Sequence, residues 1–171
     1  MIDYRIRQGT LADADRLARL RWDFSSVAQQ AAQPFDAFQE PFAAYLAEAV
    51  ASGLIIWVVE SADRLLGNIY VQLVRKLPRP DRFGRHWGYV TNVYIIPEMR
   101  DSGIGAALMA RVQQWASDEH LEFLILWPSE RSIPFYQRTG FVLDQDALVW
   151  EHPAKREHAQ RDKDAIHDAH P

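Results

Sequence analysis

No cysteine occurs in this chain, which excludes a disulfide framework, thiolate metal ligands and a cysteine nucleophile together. Long apolar runs are missing too. The longest, LIIWVV at 54–59, falls well short of the roughly 20 residues that a bilayer-spanning helix requires. The opening MIDYRIRQGT has no apolar stretch of signal-peptide length, so a soluble, cytoplasmic protein is expected. Neither charge is in large excess. Basic residues number 19 and acidic residues 23, a formal net charge of −4 that argues against a membrane-surface or general nucleic-acid binder.

What is present is ordinary globular material. Hydrophobic residues make up 48% of 171 positions and charged residues 25%, enough for one domain that buries roughly 68–70% of its unfolded surface. Residues 4–7 alternate as a short strand. In GTLADADRLARLRWDF, Thr10 is an N-cap, Asp13 completes a capping box, and Leu11, Ala14, Leu17, Ala18 and Phe24 form one apolar face. A polar passage over 25–39 leads to Pro41, read as the first residue of a second helix. Phe42, Tyr45, Leu46, Ala49 and Val50 are its buried stripe and Gly53 its stop.

LIIWVVE and LLGNIYVQLV, joined by SADR, read as an antiparallel hairpin. RKLPRPDRFGRHWG is a loop, and YVTNVYII a strand ended by Pro97. A helix starting near Gly103 carries Ile104, Leu108, Val112 and Trp115 on one side. LEFLILW, apolar almost throughout, fits a strand buried on both faces. ERSIPFYQRT is a short helix closed by Gly140, and FVLDQDALVW supplies a final strand or hairpin. One α+β domain over residues 1–150 is expected, followed at 151–171 by a polar, solvated tail holding four of the six histidines; no metal site is assigned to it.

The chemistry concentrates in YIIPEMRDSGIGAALM, a strand, a turn and a helix with an arginine and two glycines at the joint. The first N–H groups of a helix lack intrahelical partners, and the macrodipole places positive charge there. Gly103 and Gly105 let a ligand approach the main chain, and Arg100 adds a planar charged fork suited to phosphate oxygens. A diphosphate matches the length of such a site. A Walker loop is ruled out because no lysine follows either glycine. The dinucleotide fingerprint fits poorly: Leu108 occupies the place of its third glycine, and residues 98–102 separate the strand from Gly103.

A third pattern, R-x-x-G-x-G, is met by Arg100-Asp101-Ser102-Gly103-Ile104-Gly105, with V-x-I-x-P ahead of it from Val93 to Pro97. This resembles the acyl-coenzyme A diphosphate loop of the GNAT N-acetyltransferases. A second stretch, SERSIPFYQRTGF at 129–141, resembles that family's N-x-x-A-x-x-[LF]-Y-x-x-x-G-F signature. Tyr136, Gly140 and Phe141 fit it, while Ser129 stands for the usual Asn and Ser132 for the usual Ala. IRQGTLADADRLARL is similar to the family's first strand and helix, so the resemblance spans about 4–150 in order.

The resemblance implies a three-layer α/β/α arrangement around a mostly antiparallel mixed sheet with splayed central strands. Acetyl-coenzyme A would be the co-substrate, with no metal. The main chain of Val93, Tyr94 and Ile95 would hold the pantetheine arm and polarise the thioester carbonyl. The amides of Arg100, Asp101, Ser102, Gly103, Ile104, Gly105 and Ala106 would take the diphosphate, Ile104 and Ala106 packing as well. Ser129 and Phe135 would complete the cofactor site, and Tyr136 would donate to the leaving sulfur. No general base is identified among Glu122, Glu130 and Asn92, and a water chain is equally open.

The acceptor pocket would lie between 22–42 and 76–87, where Trp22, Phe24 and Phe35, or the cations Lys76, Arg79, Arg82, Arg85 and His86, are candidate contacts. The implied activity is acetyl transfer to a primary amine, of a small molecule rather than a protein N-terminus. The alternative on the same fold is an acyl-coenzyme A sensor or inactive interaction module. Nucleic acid and membrane are not expected partners, and a homodimer is allowed for.

Overall fold

The computed structural model describes residues 3–62, 64–81, 84–144 and 150. It forms two compact units, Met1–Gly140 and Phe141–Pro171. In the second, residues 141–144 and 150 have no regular structure. The rest of the expected terminal strand and the polar tail lie outside the described residues. Among those described, no helix is long and apolar enough to cross a membrane.

The first unit is built on five strands: β1 (Arg5–Gln8), β2 (Leu54–Ser61), β3 (Arg64–Arg75), β4 (His86–Ile95) and β5 (Leu124–Ile125). They lie side by side in chain order. The first three pairings are antiparallel and the last, β4 with β5, is parallel. Among the described residues, five α-helices complete it: α1 (Ala14–Phe24), α2 (Val27–Gln30), α3 (Phe35–Ala51), α4 (Ile104–Asp118) and α5 (Ile133–Arg138). This is the mixed α+β architecture expected.

Strand alternation shows that helices cover both faces. Phe24 of α1 packs at a tilt against Tyr94 of β4 with ring centroids 5.3 Å apart. Tyr94 lies opposite Asn68, and Asn68 opposite Val58, so these three side chains share the α1 face. Trp57, one residue from Val58, points the other way and meets Trp115 of α4 at 6.2 Å. Between the layers, Val58, Ile69, Val71, Leu108, Met109 and Val112 are fully buried.

Several elements differ from the pattern read along the chain. The helix expected to open at Pro41 begins six residues earlier: α3 runs from Phe35, N-capped by Pro34, and holds Pro41 in its interior. Pro41 has no N–H to give and crowds the carbonyl a turn back. The helix tolerates it because Phe35, Phe38 and Phe42 recur at helical spacing, the first two against Trp22 of α1 and the third against Phe38. Tyr45 and Val50 face solvent, as do Leu11 and Phe24 at the ends of the first helical segment, where Leu20 takes the buried place. β4 starts at His86, within the segment read as a loop. LEFLILW gives only the two half-buried residues of β5, with Phe123 and Trp127 exposed, because among the described residues β5 is an edge strand.

Gly67 on β3 lies opposite Ile95 of β4 with no room for a side chain. A methyl group there would stand 2.5 Å from the Tyr94 carbonyl oxygen and 2.4 Å from Ile95 Cδ1. Main chain cannot yield as a side-chain tip can, so Gly67→Ala should destabilise the protein by about 1–3 kcal/mol. The check is a urea unfolding curve with a lower midpoint and unchanged slope. A midpoint equal to that of the parent would show that the strands can part here at no cost.

Candidate functional site

β4 is interrupted where the site begins. Asn68 pairs with Tyr94 but Tyr70 with Thr91, so β4 carries one residue more than β3 between those pairs. Asn92 sits in the left-handed region at φ 48°, which Asn tolerates better than most residues, and it forms the bulge. The Asn68 side-chain Nδ2 donates to the Asn92 main-chain carbonyl at 2.8 Å and pins it.

The bulge decides which amides are presented. Gly88 N–H donates to Phe123 O at 3.1 Å, on the β5 side, whereas Ile96 N–H donates to Leu66 O at 3.0 Å, on the β3 side. Two even-numbered residues of an unbroken strand would face the same way; the extra residue inverts the parity. Val93 and Ile95 therefore turn their N–H groups away from β3, and Tyr94 turns toward it. β5 pairs with β4 only at Gly88 and Tyr89, so beyond Tyr89 the strands part and that edge of β4 is unpaired among the described residues.

The joint after β4 offers a second row of donors. The Arg100 amide is tied to Pro97 O at 3.2 Å and the Ala107 amide to Gly103 O at 3.0 Å. Among the described residues, no amide from Asp101 to Ala106 donates to another protein group. Gly103 N-caps α4 at φ 85°, and Asp101 at φ 58° is likewise left-handed. Alternating backbone of this kind with aligned amides makes an anion-binding concavity at a helix N-terminus. Ser102 Oγ donates to Met99 O at 2.6 Å and fixes the turn.

The two glycines do different things. A Cβ on Gly103 would meet nothing within 4 Å, so its requirement is the positive φ. A Cβ on Gly105 would lie 3.5 Å from both Ile95 Cγ1 and Phe135 Cε2, so Gly105 is where β4, α4 and α5 converge. Ile104 is buried, as expected of a packing side chain, whereas Ala106 is exposed. Arg100 is exposed; its Nε donates to Ile95 O at 3.3 Å and its guanidinium lies 5.9 Å from the Tyr94 ring centre.

Phe135 thus reaches the helix mouth, and Tyr136 follows it on α5, their rings 5.1 Å apart. Burial raises the Tyr136 phenol above its ordinary pKa, so it keeps its proton at neutral pH. The Ser129 hydroxyl lies 3.0 Å from that of Ser132, so the two serines standing in for the Asn and Ala of the signature pair with each other.

The other candidates separate. Glu122 is not near the bulge as a base; Lys76 and Arg85 hydrogen-bond to it, in that order of effect, and hold its carboxyl below the usual range. Arg79 pairs with Asp81, so most of the basic loop neutralises itself, and Arg82 lies outside the described residues. Trp22 and Phe35 pack edge to face on each other. Phe24, packed against Tyr94, is the one of the three aromatic candidates seen to border β4 among the described residues. Reading the chain alone missed the bulge at Asn92 and the residues beneath α1. The available signal was an Asn inside an otherwise apolar strand.

Comparison with known proteins follows the same lines. The sequence profile described as the Acetyltransferase (GNAT) family matches residues 14–141. A glucosamine 6-phosphate N-acetyltransferase of Trypanosoma brucei brucei is 34% identical over 82 residues, 48% of this chain. The chain spans about half of that relative, 54% of its length. The crystal structure of a predicted acetyltransferase from Clostridium acetobutylicum, solved with acetyl-CoA, superimposes with TM-score 0.68 at 19% identity, covering 87% of this chain and 96% of the other. A GCN5-related N-acetyltransferase of Ralstonia eutropha superimposes with TM-score 0.65 at 25% identity, covering 87% and 99%.

Proposed function

The chain belongs to the acetyltransferase (GNAT) family, and from that premise we propose that it transfers an acetyl group from acetyl-coenzyme A to the primary amine of a small molecule, by direct attack in a ternary complex. The carrying observation is the succession of two donor rows that are unpaired among the described residues, Val93 and Ile95 on the open edge of β4 and the amides of residues 101–106 at the head of α4. The second row, with Arg100 beside it, suits a diphosphate. The first suits the amides of a pantetheine arm and, at the bulge, the oxygen of a thioester.

The chemistry follows from that placement. A neutral amine attacks the thioester carbon, its C–N bond forms, and the carbonyl oxygen gains negative charge. Preplaced main-chain donors stabilise that charge with little reorganisation. The C–S bond then breaks, the nitrogen loses its extra proton to solvent, and the sulfur leaves as thiolate. Tyr136 donates a hydrogen bond to this sulfur. A phenol near pKa 10 against a thiol near 8.5 makes complete transfer uphill by about 2 kcal/mol, so the proton passes late. The burial that raises the Tyr136 pKa reinforces that order.

The deciding experiment combines thermal melting with acetyl-coenzyme A and a thiol-release assay over a panel of small amines. Stabilisation by the thioester together with amine-dependent thiol release is expected. Stabilisation with no release from any amine would replace the transferase by a sensor. Stabilisation by a dinucleotide instead would remove the assignment of the α4 site.

A further inference from the structure

Beneath α1, the face of the sheet beside the bulge carries polar groups that the protein leaves without partners. Tyr70 and Asn68 alternate onto the face that Tyr94 shares, and both are buried, at 6% and 0% exposure. Among the described residues, neither the Tyr70 hydroxyl nor Asn68 Oδ1 has a hydrogen-bond partner. A buried hydroxyl without a partner forfeits its hydration for nothing in return, so such groups usually serve a bound water or ligand.

Arg21, in the last turn of α1, stands over this row. Its guanidinium lies 5.5 Å from the Phe24 ring centre, and Phe24 packs against Tyr94. Arg21 is half-buried, and among the described residues it forms no ion pair, unlike Arg16 and Arg19 of the same helix. The neighbouring carboxylate, Asp23, is held by Arg19 at 3.0 Å and does not quench it. The positive field of Arg21 reaches the Tyr70 phenol, partly opposing the upward shift that burial imposes.

We propose that Arg21 and Tyr70 anchor an anionic group, a carboxylate or phosphate, on the acceptor amine. The inference rests on the transferase reading above and extends it to the class of acceptor. Tyr70 and Asn68 lie opposite Thr91 and Tyr94, on either side of the bulge, so an acceptor held there places its amine beside the proposed thioester carbon. Arg21 supplies charge and a fork of donors, and Tyr70 a single hydroxyl donor. The basic loop at 76–87, a candidate acceptor contact by sequence, has its described cations largely committed to Glu122 and Asp81.

The test compares matched acceptors, phosphoethanolamine against ethanolamine and β-alanine against its alcohol, for the wild type, Arg21→Gln, Arg21→Lys and Tyr70→Phe. The wild type should prefer at least one anionic member by about tenfold or more in kcat/KM. Arg21→Gln should raise KM for that member by about ten- to a hundredfold, the range for hydrogen bonds to a charged group, with kcat and the neutral member unchanged. Arg21→Lys should restore part of the preference, and Tyr70→Phe should raise the same KM without lowering Tm. Whichever pair shows the effect tells phosphate from carboxylate. An intact preference in Arg21→Gln, or a kcat loss shared by both members, overturns the proposal.

Should no amine release thiol while acetyl-coenzyme A still stabilises the protein, the transferase reading fails separately. The anchor is then read by melting. Added protection of the thioester complex by phosphoethanolamine or β-alanine that disappears in Arg21→Gln supports it. Equal protection, or none, in both proteins refutes it.

Discussion

Tyr136→Phe should lower kcat by roughly a hundredfold, the lower part of the range for a lost general acid, and leave KM for acetyl-coenzyme A close to its parent value. The asymmetry follows from the site. Its proposed donor contacts are main-chain N–H groups on β4 and at the head of α4, which the substitution does not touch. Phe keeps the ring against Phe135 and so keeps α5 beside the helix mouth. Because burial raises the Tyr136 pKa, the phenol stays protonated through neutral and moderately alkaline pH. The parent profile should therefore climb as the acceptor amine loses its proton and turn down only above the ordinary phenol range. The variant should climb without turning down. A steady-state pH series on both proteins reads this directly, and identical kcat values with superimposable profiles would remove Tyr136 from the chemistry.

How much of this was legible beforehand depends on how local the cause is. The turn at residues 100–105 could be read because its glycines, its arginine and the start of α4 act within a few residues of one another. Gly103 indeed needs its positive φ, and among the described residues the amides of 104–106 that follow it have no partner. The bulge could not be read, since an extra residue in β4 has meaning only against the register of β3, and that register is long-range. Pro41 misled for a related reason. Its local preference for a first turn is outweighed by the packing of Phe35 and Phe38 on Trp22, which lies on another helix. The apolar stretch LEFLILW likewise promised a central strand, whereas burial of an edge strand depends on what lies beyond it.

Glu60 is the sharpest case of a long-range cause. It ends the run LIIWVVE and looks like the solvent-facing close of a strand, yet it is 5% exposed. Arg5 and Arg7 from β1 and Arg16 from α1 converge on it, at 2.7, 2.9 and 2.9 Å. Asp13, fully buried at the capping turn, accepts from Arg7 at 2.8 Å, from Arg16, and from the Thr10 amide at 2.9 Å. The network ties β1, β2 and the start of α1 together. Glu60→Gln removes one of its two carboxylates and leaves three guanidinium groups around a single anion. Breaking a buried pair costs about 3–5 kcal/mol; about 3 is expected here, because Arg5 and Arg16 retain access to water. Denaturant unfolding at neutral pH should show that loss.

The pH dependence gives an independent check. Arg7 hydrogen bonding lowers the Asp13 pKa from 3.8 to about 2 and lowers that of Glu60 as well. Carboxylates whose pKa falls on folding stabilise the native state above their unfolded values and lose that contribution as pH drops toward the folded ones. Parent stability should thus decline steeply from about pH 4 downward. Glu60→Gln has less to lose, so the gap between the two proteins should narrow across the same window. A gap that stayed constant from neutral pH to acid would mean that Glu60 acts through packing, and that its charge contributes nothing to joining the three elements.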